Sequence, residues 1–179
     1  MTHFLNIEIL FLTKTLKIIG IDPGTNITGY GIASFDGFNF SAIDYGCIRP
    51  PSSLKLSDRY LIIYDSIAHL LEQHTVNALV VETQFASKAN PQSGIKLGMA
   101  RGAIIIAAKK RQIPVYEYSP TQVKLAAVGY GHASKHQVQA MIQSQFQLNQ
   151  LPPPDAADAL ALTLCYMYSH KNKQAFSEL

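Results

Sequence analysis

The stretch KIIGIDPGTNITGYGIASF, residues 17–35, holds two apolar runs on either side of a short polar turn. The first run ends in the carboxylate of Asp22, and Pro23-Gly24 then turns the chain. The second run, 28–35, is rich in aromatic and β-branched residues, which is typical of a strand. The stretch therefore predicts a strand, a turn and a second strand, with an acid where the first strand ends.

The segments that follow extend this pattern into a mixed α/β domain. Asp36-Gly37 is a hairpin signal in front of a third predicted strand at 38–48. The later predicted elements are a helix at 57–74 capped by Ser57, a buried apolar strand at 78–81 ending at Glu82, a helix at 91–111, a strand at 113–118, a helix begun by Ser119-Pro120 and ended by Gly129 and Gly131, and helices at 134–148 and 155–169. This order predicts a single domain with a five-stranded mixed sheet flanked by helices.

Length and composition fit one globular domain. The chain has 179 residues, 47% of them hydrophobic, and we expect the domain at 17–170, an extension outside the fold at 1–16 and a short tail at 171–179. No run of eighteen or more apolar residues predicts a membrane span, and the start lacks the basic region of a secretory signal. Cys47 and Cys165 are too few for a disulfide framework or a zinc site. We therefore expect reduced, core-filling thiols in a cytoplasmic protein.

Positive charge is concentrated in the middle of the chain. Between residues 84 and 140 there are eight Lys and Arg and one acid, Glu117, although the whole chain carries only +3. A basic central third fits a polyanion-binding face. It fits a solvated, lysine-rich surface equally well.

Four acids lie at the ends of predicted elements: Asp22, Glu82, Asp155 and Asp158. The last two are three residues apart at the start of a helix, so they project from one face. Oxygen ligands without a His or Cys cluster favour Mg²⁺ or Mn²⁺ over zinc. Each acid alone also fits a structural role, as a turn residue, a helix cap or an exposed strand end. The four together favour a divalent-cation site, because all lie where one sheet edge and one helix start can meet.

Five linked motifs resemble those of the RuvC Holliday junction resolvases in order and spacing. They are GIDPGTNITGYGI (20–32), LVVETQF (79–85), ASKANPQSGIKLGMARG (86–102), YEYSPTQVKLAAVGYGHASKHQV (116–138) and DAADALALTLC (155–165). The resemblance covers about 17–170. It implies a ribonuclease-H-like fold, a homodimer, two Mg²⁺ per subunit with Mn²⁺ as a substitute, and paired symmetric nicks in a four-way DNA junction that leave 5′-phosphate and 3′-hydroxyl ends. It also implies the RuvA–RuvB branch-migration complex as a partner.

The same resemblance implies roles for eight residues. Asp22, Glu82, Asp155 and Asp158 would be the catalytic metal ligands, Lys124 and Lys135 would lie near the phosphate, Phe85 would insert at the junction, and Lys88 would contact DNA. The ordinary alternatives are solvated lysines and a core phenylalanine.

Gly94, Gly98 and Gly102 recur every four residues on one predicted helix. Each glycine costs a helix roughly 1 kcal/mol relative to alanine, so three on one face predict close packing against another backbone. That backbone is either the adjacent helix of the same chain or the same helix of a second subunit.

Three other functions remain open at this point. The 20–32 motif also resembles the phosphate loop of actin-like and sugar-kinase ATPases, but those proteins need two such domains and this chain has one copy. The others are a non-catalytic DNA-binding module and another ribonuclease-H-like nuclease.

Overall fold

The computed structural model describes residues 15–83 and 91–177, with side chains as far as residue 170. Its elements are β1 (Leu16–Asp22), β2 (Thr28–Phe35), β3 (Phe40–Ile48), α1 (Leu56–Gln73), β4 (Ala78–Glu82), α2 (Pro91–Lys109), β5 (Val115–Tyr118), α3 (Pro120–Val128), α4 (Lys135–Gln145) and α5 (Pro154–Ser177). This is the predicted element order. β1 begins at Leu16, the last position of the expected extension, and residues 1–14 lie outside the described part.

The strands form one mixed sheet in the order β3-β2-β1-β4-β5. The three-strand meander is antiparallel, whereas β1, β4 and β5 run parallel. Ile21 is in register with Val81 across β1 and β4. Asp22 and Glu82 come next and are the last residues of their strands, so they lie side by side at the same edge of the sheet.

Helices cover both faces of the sheet, and the alternation of strand residues explains why. On one face Ile18 and Val80 pack with α3, α4 and α5, and on the other Ile19 and Val81 pack with α1 and α2. β4 is buried along Ala78–Val81, as its unbroken apolar run predicts. The first of these cores fixes α5 against the same strands that carry Asp22 and Glu82.

Helix ends are confirmed in some places and wrong in others. Ser119 caps α3 in a capping box with Gln122, and Gly129 ends α3 with a left-handed φ of 77°. The prediction that Ser57 caps α1 is wrong, because the N-cap is Lys55, which makes no side-chain capping bond. α5 is longer than predicted and continues to Ser177, into the residues expected to form a tail.

Both cysteines are free, but only Cys165 is buried in the core as predicted. Cys47 is half-buried on β3. No helix in the described part of the chain is both long and apolar enough to cross a membrane.

Candidate metal centre

Helix α5 brings two further acids to the edge where β1 and β4 end. Asp155 and Asp158 lie in its first turns. Close approach of this helix to the sheet depends on glycines, because a Cβ at Gly20 would lie 2.0 Å from the Ala159 carbonyl oxygen and a Cβ at Gly29 would lie 2.0 Å from that of Asp155. Such distances are not possible for any residue with a side chain. The glycines therefore let α5 lie directly on β1 and β2.

Asp22 has the most perturbed carboxyl group of the four acids. Burial, followed by the neighbouring charges of Asp158 and Glu82, raises its pKa from 3.8 to about 7. Lys135 opposes this rise, and Asp155 adds to it. In residues 15–83 and 91–177, no hydrogen-bond donor contacts the Asp22 carboxylate. A half-buried carboxylate beside other acids is unfavourable in its charged form unless a cation compensates it.

Glu82 and Asp158 show the same effect to a smaller degree. Burial raises the pKa of Glu82, and the charge of Asp158 raises it further. Burial also raises the pKa of Asp158, against the opposing effect of Lys135. The structure thus places these acids close enough to repel one another.

Two lysines from the basic central third face the acids. Lys135 Nζ lies 3.3 Å from Asp158 Oδ2, and the charge of Asp158 raises the pKa of this lysine. The charge of Lys124 also acts to lower the pKa of Glu82 and of Asp158, against the effect of burial. The predicted lysines and acids are therefore neighbours in one site.

A cleft of about 240 Å³ opens beside this cluster. It is lined by Glu82, Pro120, Val123, Lys124, Lys135, Val138, Asp158 and Leu162. A lining that combines two acids with two lysines suits an anion held together with divalent cations.

The acids do not form a closed cage. Among the described residues, no three His, Cys, Asp or Glu side chains are grouped tightly enough to enclose a metal ion by themselves. Like charges repel, and Asp158 instead pairs with Lys135. The site is thus a set of neighbouring oxygen donors whose mutual repulsion a cation would relieve.

The turn after Asp22 is fixed by residues that sequence reasoning missed. The buried Thr28 hydroxyl donates to the Gly24 carbonyl at 2.7 Å, and the guanidinium of Arg59 donates to the Thr25 carbonyl and the Asn26 side chain. Arg59 is only 8% exposed, which is unusual for an arginine. Its position in the first turns of an amphipathic helix gave no signal, because its partners come from a distant turn.

Two of the eight predicted site residues, Phe85 and Lys88, lie outside the described residues. The other six, four acids and two lysines, are found around the cleft and its sheet edge. Oxygen donors of this kind can hold hard divalent cations, and the lysines can hold a phosphate.

The chain matches a known protein family over most of its length. The family described as Crossover junction endodeoxyribonuclease RuvC matches residues 18–166. A protein of that name from Protochlamydia amoebophila is 58% identical over 156 residues, which are 87% of this chain and 92% of the relative. Another from Ruminiclostridium cellulolyticum is 42% identical over 155 residues, 86% of this chain and 93% of the relative.

A solved structure is also similar. The structure of Thermus thermophilus RuvC in complex with a Holliday junction substrate superposes with a TM-score of 0.82 at 31% identity, over 88% of this chain and 96% of that one. The shared fold is the ribonuclease-H-like fold implied by the sequence motifs.

Proposed function

The chain belongs to the RuvC family of crossover junction endodeoxyribonucleases, and we propose from this premise that it resolves Holliday junctions in homologous recombination and DNA repair. In this proposal it makes paired symmetric nicks that leave 5′-phosphate and 3′-hydroxyl ends. The observation that carries it is the cluster of half-buried acids beside a lysine-lined cleft, with Asp22 at its centre. The Thermus relative, whose structure contains a Holliday junction, supports the choice of substrate.

The donor set fits two Mg²⁺ ions, with Mn²⁺ as a substitute. Asp22, Glu82, Asp155 and Asp158 offer only carboxylate oxygens, which these hard cations prefer. The raised pKa of Asp22 supports the fit, because a nearby cation would stabilise its charged form. Bound ions of this kind activate a water and stabilise the charge that develops on a phosphodiester.

The lysines then have a role in positioning DNA. Lys135 and Lys124 face the same acids and line the cleft, so each can bind a non-bridging phosphate oxygen as a point charge. Cation binding to Asp158 would free Lys135 from its ion pair for that contact. Phe85 and Lys88 remain proposed DNA contacts from the family resemblance alone.

A homodimer would place two such sites on one junction. In the described part of the chain, a Cβ at Gly98 or Gly102 would meet nothing within 4 Å, so packing within the chain does not explain these glycines. The same helix exposes Ile95, Met99 and Ile106, each by more than half. A second copy of α2 fits this apolar, small-residue face, and a two-fold dimer matches the symmetry of paired nicks. A partnership with RuvA–RuvB follows from the family resemblance only.

Cleavage of a synthetic four-way junction tests the function. Purified protein should cut opposite strands of the junction in Mg²⁺ or Mn²⁺, should not cut in EDTA, and should leave a linear duplex and an RNA–DNA hybrid uncut. The products should be resealed by DNA ligase, which requires the proposed ends. Equal cutting of the hybrid would indicate another ribonuclease-H-like nuclease, and binding without cutting would indicate a non-catalytic module.

A further inference from the structure

The connection between α3 and α4, residues 129–134, joins two helices that both line the cleft, and it is anchored at two points. Ala133 is buried in the core, and its amide donates to the Tyr130 carbonyl at 3.1 Å. A Cβ at Gly131 would lie 2.9 Å from Thr121 Cγ2, so the connection folds back against the start of α3. Thr121 follows Pro120, which lines the cleft.

Two rings project from this connection on either side of its anchored glycine. Tyr130 is 58% exposed, although tyrosine usually buries much of its ring. Its ring lies 5.7 Å from that of His132, edge to face at 63°. His132 is exposed as well, so both rings are accessible to a ligand at the surface.

The charges around these rings favour a nucleic-acid ligand. Lys124 lies on the helix before the connection and Lys135 on the helix after it, and both line the cleft. Exposed aromatic rings between phosphate-binding lysines are the usual composition of a surface that stacks bases of an unpaired strand. An aromatic pair for protein docking would not need this positive flank.

We propose that Tyr130, supported by His132, is a stacking platform for a nucleobase of the DNA strand that enters the cleft next to the scissile phosphate. The inference rests on the proposed junction-cutting function and extends it to a second contact on the substrate. A base can stack there only if it has left its own duplex, which happens at the exchange point of a four-way junction. The platform therefore favours junctions over continuous duplex.

The test compares variants of the full chain on one junction. Junction affinity is measured in EDTA by fluorescence anisotropy, and 2-aminopurine at the nucleotides flanking the cut site reports stacking. Y130A and Y130L should weaken junction binding roughly 5- to 100-fold and abolish the change in 2-aminopurine fluorescence. Y130F should match wild type, because it keeps the ring. H132A should show a smaller loss than Y130A.

The matched control is F38A, because Phe38 is an 81% exposed aromatic in the β2–β3 turn, at the opposite end of the sheet. It should leave affinity and fluorescence unchanged. Thermal unfolding confirms that each variant is folded. Two outcomes would overturn the platform but not the proposed function, provided that wild type still cuts the junction. One is that Y130A loses as much affinity for linear duplex as for the junction. The other is that Y130F loses as much junction affinity as Y130A. Wild-type protein that neither bound nor cut the junction would overturn the proposed function and the platform together.

Discussion

Asp22 and Asp36 are the same residue type at opposite ends of β1 and β2, yet their surroundings differ completely. Asp36 is exposed in the β2–β3 turn, where its carboxylate accepts bonds from the Phe38 amide at 2.9 Å and the Asn39 amide at 2.7 Å. These bonds lower its pKa. Asp22 is largely buried among other acids, and burial followed by those charges raises its pKa to about 7.

Asp36 stabilises the turn that contains it, whereas the surroundings of Asp22 disfavour its charged form. Asp36 is satisfied by local donors, which is how an aspartate stabilises a turn. Asp22 also precedes a turn, and a turn role was its simplest interpretation, but Thr28 and Arg59 make the turn's bonds instead. A half-buried acid among other acids is unfavourable for stability and is kept where a cation or a reaction needs it.

The largest effect is expected when Asp22 is exchanged for asparagine, with the same exchange at Asp36 as the control. D22N should lower single-turnover cleavage of a four-way junction in Mg²⁺ by orders of magnitude, because it removes the oxygen charge at the centre of the proposed site. D36N should cut like wild type. Junction affinity in EDTA should be retained by both variants. Wild-type rates in D22N would break the comparison, since Asp22 would then be only a buried turn residue.

Gly29 and Gly98 give a second comparison, between a glycine where an added methyl would displace a helix and one where it would not. At Gly29 a methyl would collide with the Asp155 carbonyl oxygen and push the start of α5 off the sheet. At Gly98 it would meet nothing within 4 Å among the residues that the structure describes. G29A should reduce cleavage by about 100-fold, the effect expected for a misplacement of about 1 Å in a catalytic group.

Circular dichroism and thermal unfolding would separate this effect from unfolding. G98A measured at a concentration that keeps the protein dimeric should cut far faster than G29A. If G29A folded and cut like wild type, then α5 would not need its close contact with β2 to position its acids.

The two acids should also give opposite pH dependences of stability in EDTA. The pKa of Asp22 is raised on folding, so its favourable contribution is full below about pH 4 and is lost as pH rises through about 7. The pKa of Asp36 is lowered, so its contribution is present above its unfolded pKa and is lost as pH falls. Urea unfolding from pH 2 to 8 measures both, because the Asp36 change lies below its ordinary pKa of 3.8 and the Asp22 change lies between there and about 7.

Relative to wild type, D22N should therefore be stabilised increasingly toward pH 8, and D36N should be destabilised most at neutral pH. Added Mg²⁺ should raise the stability of wild type toward pH 8, because a bound cation compensates the charge of Asp22. It should raise the stability of D22N much less. Parallel pH curves for all three proteins would show that burial of Asp22 has no energetic consequence.

Local patterns were sufficient to predict the order of the elements and the acids. The apolar runs of β1 and β4 and the capping signal at Ser119 are each readable within a few residues. Asp22 and Glu82 were predictable as neighbours because parallel strands that end in acids bring them to one edge. The lysines entered only through the family motifs, since an isolated lysine carries no pattern.

What could not be predicted depends on contacts between distant segments. Gly29 touches Asp155, and Arg59 reaches the turn at Thr25, but neither pairing leaves a periodic signal along the chain. Ser57 was misassigned as a cap because its residue type fits, while the helix begins one residue earlier. The glycines of α2 were ambiguous for the same reason, because sequence spacing predicts a close partner without saying which backbone supplies it.

The smallest expected effect tests whether a second copy of α2 is the backbone that packs on these glycines. If the α2 face were free, G98A and G102A would each stabilise the helix by about 1 kcal/mol and leave association unchanged. If it packs on a second copy, the added methyls should overpack the interface and raise the dimer Kd roughly tenfold. S144A, an exposed alanine substitution on α4, is the matched control for sedimentation equilibrium. We expect weaker dimers for both glycine variants but not for S144A, because a methyl at Gly98 or Gly102 would meet nothing within 4 Å in the described part of its own chain and would act only at a contact with a second copy.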